Sequence, residues 1–213
     1  MNTIIATLAF IQILAVTAAA TEPVSKEVFL KLNSFAEIQG QFTQVKTLQE
    51  LDVTIKTEGL FSIAKSVSNK SLFHWNIKKP TSSFVCIDSE GLQISSESTD
   101  KSTTAKKKQI KFSEMGTETN DQILNFFKLL SLNQENAAEL FTIQRSGTGF
   151  LLTPKDKEKS LFKAVQIEIN KQGLVDNLVV EEKSQDKITI HFFNMKTKKS
   201  ISAEEAKHLL CKK

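Results

Sequence analysis

Three histidines, two cysteines and a few adjacent carboxylates are the residues of this chain best equipped for chemistry. His74, His191 and His208 are scattered along the sequence and fall into no metal-ligand spacing. No G-x-S-x-G elbow, phosphate-binding glycine loop, H-E-x-x-H helix or G-x-G-x-x-G turn is present. His74 and His191 alternate with Trp75 and Phe192, which places each imidazole on the polar face of a strand. The adjacent pairs Glu181-Glu182 and Glu204-Glu205 read as solvating charge on exposed elements. No catalytic residue, metal or cofactor is expected, and the chain does not read as an enzyme. Cys86 and Cys211 are even in number and far apart, so a disulfide and two free thiols both remain open.

Charge narrows the partners. The formal net charge is +4, carried almost wholly by lysine, with Arg145 the one arginine. The only cluster, Lys106-Lys107-Lys108, sits in a Ser/Thr-rich segment without aromatic neighbours. Nucleic acids are read through bidentate arginine contacts and stacked rings, so no nucleic-acid partner is expected. An anionic head group or an acidic protein surface is the better complement.

The elements that would position these residues begin after a distinct leader. Residues 4–20 form an apolar run ending in Ala18-Ala19-Ala20, followed by Glu22 and Pro23. This pattern predicts a signal peptide over residues 1–20, cleaved after Ala20, and export to an oxidising compartment. A tethering helix is the alternative, although the run is short and polar-interrupted for a membrane span. Residues 21–213 then form a single domain.

Within that domain, Ser25 to about Asn33 has a capping serine and helical spacing. The period then changes to two. Strands are predicted at about Gln41–Thr47, Val53–Ala64, Leu72–Lys78, Ser83–Ile87, Leu92–Ser95, Lys107–Phe112, Leu140–Gln144, Phe150–Thr153, Phe162–Ile169, Val175–Glu182 and Lys187–Phe193. The meander is interrupted by a segment with Ile123, Leu124, Phe126, Phe127, Leu129, Leu130 and Leu132, apolar over more of a helix than docking on a sheet requires. A last helix is expected at Ala203–Leu210.

Alternation is clean in the late strands, where Val165, Ile167 and Ile169 oppose Gln166, Glu168 and Asn170. Early on, Phe73, Trp75 and Ile77 give one strand a heavy apolar face. Two architectures fit: a closed or sandwiched sheet with a solid core, or a curled sheet whose hollow is covered by helices. The helix at Ile123–Leu132, apolar over well over half its circumference, favours the second. The fold class expected is mainly β with helices (α+β): an incomplete, strongly curved antiparallel β-barrel of about eleven strands, with short lid helices over an apolar cavity.

Several blocks carry a family resemblance. Phe42-Thr43-Gln44, Glu58-Gly59-Leu60-Phe61-Ser62-Ile63, Leu72-Phe73-His74-Trp75 through Pro80, Gly149-Phe150-Leu151-Leu152-Thr153-Pro154-Lys155 and Ile167–Gly173 occur in order over most of the chain. Together they resemble the periplasmic outer-membrane lipoprotein carrier family (LolA-like). The resemblance implies a barrel whose cavity takes the acyl chains of a lipoprotein from an inner-membrane release complex and passes them to an outer-membrane receptor. It places Phe42, Phe61, Ile63, Phe73, Trp75, Ile77, Ile123, Phe127, Leu130, Leu151, Val165 and Ile167 around the acyl cavity. It also implies a periplasmic monomer. Ordinary core packing is the plainer account of the same side chains.

The chain departs from the family pattern where an arginine thought to latch the lid is replaced by Lys65. Lysine is a point charge without the planar fork, so a latch built on it holds less firmly. The hairpin from Ser95 to Lys108 lacks the family's aromatic stretch, and the chain stops at Cys211-Lys212-Lys213 without its terminal Pro-Gly segment. A lipid-sensing or scaffolding protein of the same fold, acting on a membrane partner, is the alternative to a carrier.

Overall fold

The structure is a computed structural model and describes residues 34–65, 71–88, 91–96, 106–114, 140–158, 160–202, 204–205 and 211. Eleven strands occur in it: β1 (Glu37–Leu48), β2 (Val53–Lys65), β3 (Ser71–Lys79), β4 (Ser83–Ile87), β5 (Gly91–Ser96), β6 (Lys106–Lys111), β7 (Phe141–Ser146), β8 (Gly149–Pro154), β9 (Phe162–Ile169), β10 (Val175–Glu182) and β11 (Lys187–Lys198). They form one antiparallel sheet in the order β6-β5-β4-β3-β2-β1-β11-β10-β9-β8-β7.

Each half is a meander of neighbouring hairpins, as short turns between alternating segments dictate. The two halves join through β1 and β11, which pair from Glu37↔Lys198 to Thr47↔Lys187. This one non-local pairing also explains why both strands outrun their sequence expectation. The added residues of β1 pair with β11 and β2, and those of β11 pair with β1.

The sheet is not closed into a barrel. Among the described residues β6 and β7 are its two edges, and helical structure is confined to 3-10 turns at Gln49–Leu51 and Phe112–Glu114, a helical residue at Leu140, and a helical pair at Glu204-Glu205. The expected helices at Ser25–Asn33 and Ile123–Leu132 lie outside the described residues, as does most of Ala203–Leu210. The lid and the cavity beneath it are therefore not features of the described fold.

One face of the sheet carries the core. Phe42, Phe61, Phe73, Ile87, Phe141, Phe150, Leu152, Val165, Ile167, Leu178, Val180, Ile190 and Phe192 belong to a single buried cluster drawn from both halves. Two bulges keep this face apolar where simple alternation would fail. Between Gln39↔Lys196 and Gln41↔Phe193, β11 carries an extra residue, and Asn194 adopts φ 52°, a left-handed conformation that asparagine tolerates. Phe192 and Met195, three apart, can then both pack against the core. A second bulge lies at Glu58/Gly59, where β3 holds the extra residue and Lys79 pairs with Glu58 at 3.1 Å.

Candidate functional site

The inner face of β1–β3 and β11 is built from aromatic rings that reach across strands. Phe42 on β1 is fully buried and stacks on Trp75 of β3, centroids 3.6 Å apart and planes at 22°. Trp75 stacks in turn on Phe73 at 5.6 Å and meets Phe192 of β11 edge-on at 6.2 Å, while Phe61 makes an edge contact with Phe192 at 4.9 Å.

These distances require curvature. β3 and β11 are separated by three strand steps, about 14 Å in a flat sheet. A tryptophan–phenylalanine separation of less than half that means the rings lean together over a curled surface.

Glycine makes the approach possible. Phe42 faces Gly59 in the β1–β2 register, and Gly59 neighbours Ile77 on β3, so the Phe42 ring crosses β2 above a residue with no side chain. A Cβ at Gly59 would meet the Phe42 ring at 2.8 Å and run into the Asn76 carbonyl. Gly40 does the same for Phe61, whose ring lies 3.0 Å from where its Cβ would sit.

The residues that the family resemblance placed around a cavity divide into three groups. Phe42, Phe61, Phe73, Val165 and Ile167 are buried in the inner cluster, and Ile63, Trp75 and Ile77 are half-buried against it. Leu151 is on the opposite face, paired with Gln166, because the register of β8 turns Phe150 and Leu152 inward against Ile167 and Val165. Ile123, Phe127 and Leu130 lie outside the described residues.

Sequence reasoning passed over Phe141, Phe150, Leu152, Leu178, Val180, Ile190 and Phe192 as lining residues. Their signal, period-two alternation, was present in each strand. What joins them to Phe61 and Trp75 is the β1–β11 pairing, which no local pattern encodes.

The inner face does not end where burial ends. Beyond Phe42 and Gly59, the same face of the β1–β2 hairpin carries the polar Gln44, Thr57 and Lys46 and then Leu48, Val53 and Ile55, of which Val53 and Ile55 are about two-fifths exposed. Ile94 of β5, in the row of Val85, Trp75 and Phe61, is similarly exposed. At this rim Lys46 donates to Glu182 at 3.2 Å and lies 3.9 Å from Asp186. Lys65 sits at the other end of β2, in phase with Phe61 and Ile63, its backbone N–H donating to the Ala36 carbonyl. Partial burial lowers its ammonium pKa.

The outer face is organised by the C-terminal segment. Glu37, buried on β1, receives Lys198 at 3.1 Å, and Lys198 also reaches Glu205 at 3.0 Å. Hydrogen bonds to Glu205, then to Glu37, raise the Lys198 pKa. Ser202 and Glu205 form a capping box: the Ser202 N–H donates to the Glu205 carboxylate at 2.8 Å, and the Glu205 N–H to the Ser202 hydroxyl at 3.1 Å. The Ser202 N–H first, and Lys198 second, hold the Glu205 carboxyl down at about 2. Farther along, Cys211 is disulfide-bonded to Cys86 on β4, with Cα atoms 5.7 Å apart. His74 is the cross-strand neighbour of Cys86. His191 is exposed, as alternation implied, and its Nδ1 lies 2.9 Å from Asn177 Oδ1.

The described residues form an eleven-stranded sheet with one aromatic-lined face. Compared with known protein families, residues 33–207 match the model of the outer membrane lipoprotein carrier protein LolA. The chain belongs to the LolA family. No curated protein matches the chain.

Solved structures with a similar trace include the Pseudomonas aeruginosa MucA/MucB complex, at 8% identity and TM-score 0.47, covering 84% of this chain and 60% of that one. A DUF1329 family protein from Desulfovibrio piger matches at 8% identity and TM-score 0.44, covering 85% and 95%. An outer membrane lipoprotein-sorting protein domain from Vibrio parahaemolyticus matches at 6% identity and TM-score 0.43, also covering 85% and 95%.

Proposed function

We propose that this LolA-family chain is a periplasmic carrier that shields the acyl chains of lipoproteins, or of a related acylated lipid, while they cross from the inner to the outer membrane. Its export would follow cleavage of the leader after Ala20. It would take cargo from an inner-membrane release complex and deliver it to an outer-membrane receptor, working as a monomer without cofactor.

The observation that carries this reading is the continuity of the inner face. It runs from the fully buried Phe42 past Gly59 and across the polar pair Gln44 and Thr57 to the exposed Val53 and Ile55, so apolar side chains at one end of the face stand open to water. Each methylene moved out of water is worth about 0.8 kcal/mol, so an acyl chain of roughly fifteen carbons needs a shield of this kind to travel. Lys65, in phase with the lining at the far end of β2, would act as the lid latch, holding it less firmly than an arginine.

The test is a charge at the open rim. Ile55→Glu sits where solvent already reaches, so the fold should keep its melting temperature within about 2 °C. Uptake of a fluorescent fatty-acyl probe should fall at least about tenfold, the effect of placing a carboxylate on an apolar path. Undiminished uptake would remove the rim from the cargo route and the carrier reading with it.

A second reading, a lipid-sensing scaffold that binds a membrane partner, draws support from the ring stack at Phe42 and Trp75. There the inner face fills itself with its own side chains. Mass spectrometry of solvent-extractable material from the native protein separates the two: stoichiometric acylated cargo marks a carrier, and its absence beside a co-purified membrane regulator marks a scaffold.

A further inference from the structure

The outer face of β3–β5 carries a row of side chains that cargo binding does not use. In the β3–β4 register His74 stands opposite Cys86, and in the β4–β5 register Gln93 stands opposite the same cysteine. Directly paired residues share a face of the sheet. Cys211 comes to this row from the C-terminal segment and is bonded to Cys86. A ring nitrogen of His74 and both sulfurs all lie within 4.8 Å of one another.

We propose that in the reduced protein His74, Cys86 and Cys211 form a binding site for one thiophilic d10 cation, of which zinc(II) is the representative. Two thiolates and an imidazole are the donor set such ions select, and three protein donors leave a fourth tetrahedral position for water. In a tetrahedral zinc site, neighbouring donors stand about 3.3 to 3.8 Å apart, a consequence of metal–ligand bonds of about 2.0 to 2.3 Å. The His74 nitrogen already lies within 4.8 Å of both sulfurs. Only the two sulfurs, joined in the oxidised protein, must part for a shared cation to enter.

A separate observation points to a ligand here. Gln93 is 6% exposed, and among the described residues its Oε1 has no hydrogen-bond partner. A buried amide oxygen without a donor is costly, and a metal-bound water one strand away would supply the missing O–H. The surroundings suit a closed site: Cys86 is fully buried, and Ala64 and Leu72 are almost so.

The disulfide gates the site. A dithiol reductant gives two electrons and two protons to the Cys86–Cys211 bond, leaving as its own disulfide and releasing two thiols. Zinc(II) then displaces one proton from each thiol, and His74 ligates as the neutral imidazole. A small-molecule disulfide takes two electrons from the two thiolates and two protons from water, leaving as two thiols, and the re-formed Cys86–Cys211 bond expels the cation.

Cobalt(II) added to the full mature chain, with circular dichroism recorded alongside, tests this. After anaerobic reduction one equivalent should bind with a thiolate-to-cobalt charge-transfer band that zinc(II) abolishes, and the oxidised protein should show none. His74→Ala should weaken binding at least about tenfold, and His74→Cys should restore it with a stronger thiolate band. Absence of the band in reduced, folded protein overturns the proposal. Equal affinity in His74→Ala also overturns it, because that is the behaviour of two thiols on an unfolded or unconstrained chain.

Discussion

Replacing Gly59 with alanine adds one methyl group at the point where three strands and two rings converge. The new Cβ would meet the Phe42 ring at 2.8 Å and collide with the Asn76 carbonyl, a backbone atom of the adjoining strand. The ring can move only by leaving its 3.6 Å stack on Trp75, and the carbonyl only by parting β2 from β3 beside the bulge. Forced shifts of this kind cost about 1 to 3 kcal/mol. Loss of an aromatic stack adds about 0.5 to 1.5 kcal/mol. A total of about 1.5 to 4.5 kcal/mol, with a urea slope of about 2 kcal/mol per molar, lowers the unfolding midpoint by about 0.7 to 2.2 M. Trp75 is the only tryptophan in the chain, so its emission reports directly on the stack and should shift in the folded variant. Combining Gly59→Ala with Phe42→Leu should relieve the ring contact and leave the carbonyl collision. The double variant should therefore be less destabilised than the two single changes added together. A midpoint within about 0.25 M of the parent, with unchanged emission, would refute the close approach of β1 and β3 across Gly59.

Three further outcomes are expected. Cys211→Ser should destabilise the chain by up to about 5 kcal/mol in the loop-entropy account, because the bond closes a span of 125 residues, and the urea midpoint measures it. The Glu205 carboxyl is held at about 2, below its ordinary 4.5, so its contribution is complete above about 4.5 and is lost as pH falls toward 2. The protection of the Ser202 amide against proton exchange, taken relative to the free-peptide rate at each pH, should fall across that acid window, and Glu205→Gln should make that ratio insensitive to pH there. Lys65→Leu should change the release rate of a bound fluorescent acyl probe with little effect on the melting temperature, and an unchanged rate would assign Lys65 to the surface alone.

Local pattern determined a good deal of this protein. The bounds of β4, β9 and β10 follow from alternation and turn residues, since a strand exposed on one face must repeat every two residues. The inward phase of Val165, Ile167, Ile188 and Ile190 was legible for the same reason. Leu151 marks where the pattern fails: Phe150, Leu151 and Leu152 are all apolar, so composition cannot say which of them faces inward, and only pairing with Val165 and Ile167 decides it. The phase of Met195 likewise depends on the left-handed Asn194, a bulge that no period announces.

What only the tertiary structure decided is the long-range geometry. The β1–β11 pairing joins segments about 150 residues apart and brings Phe192 onto Phe61 and Trp75. The bond between Cys86 and Cys211, and the arrival of His74 beside it, likewise come from chain folding: a scattered histidine and two distant cysteines carry no mutual spacing in one dimension. Sequence sets which face of each strand is apolar, because that is a local periodicity. Which strands lie side by side, and so which rings and sulfurs meet, is settled by the free energy of closing long loops against the burial that closure makes possible.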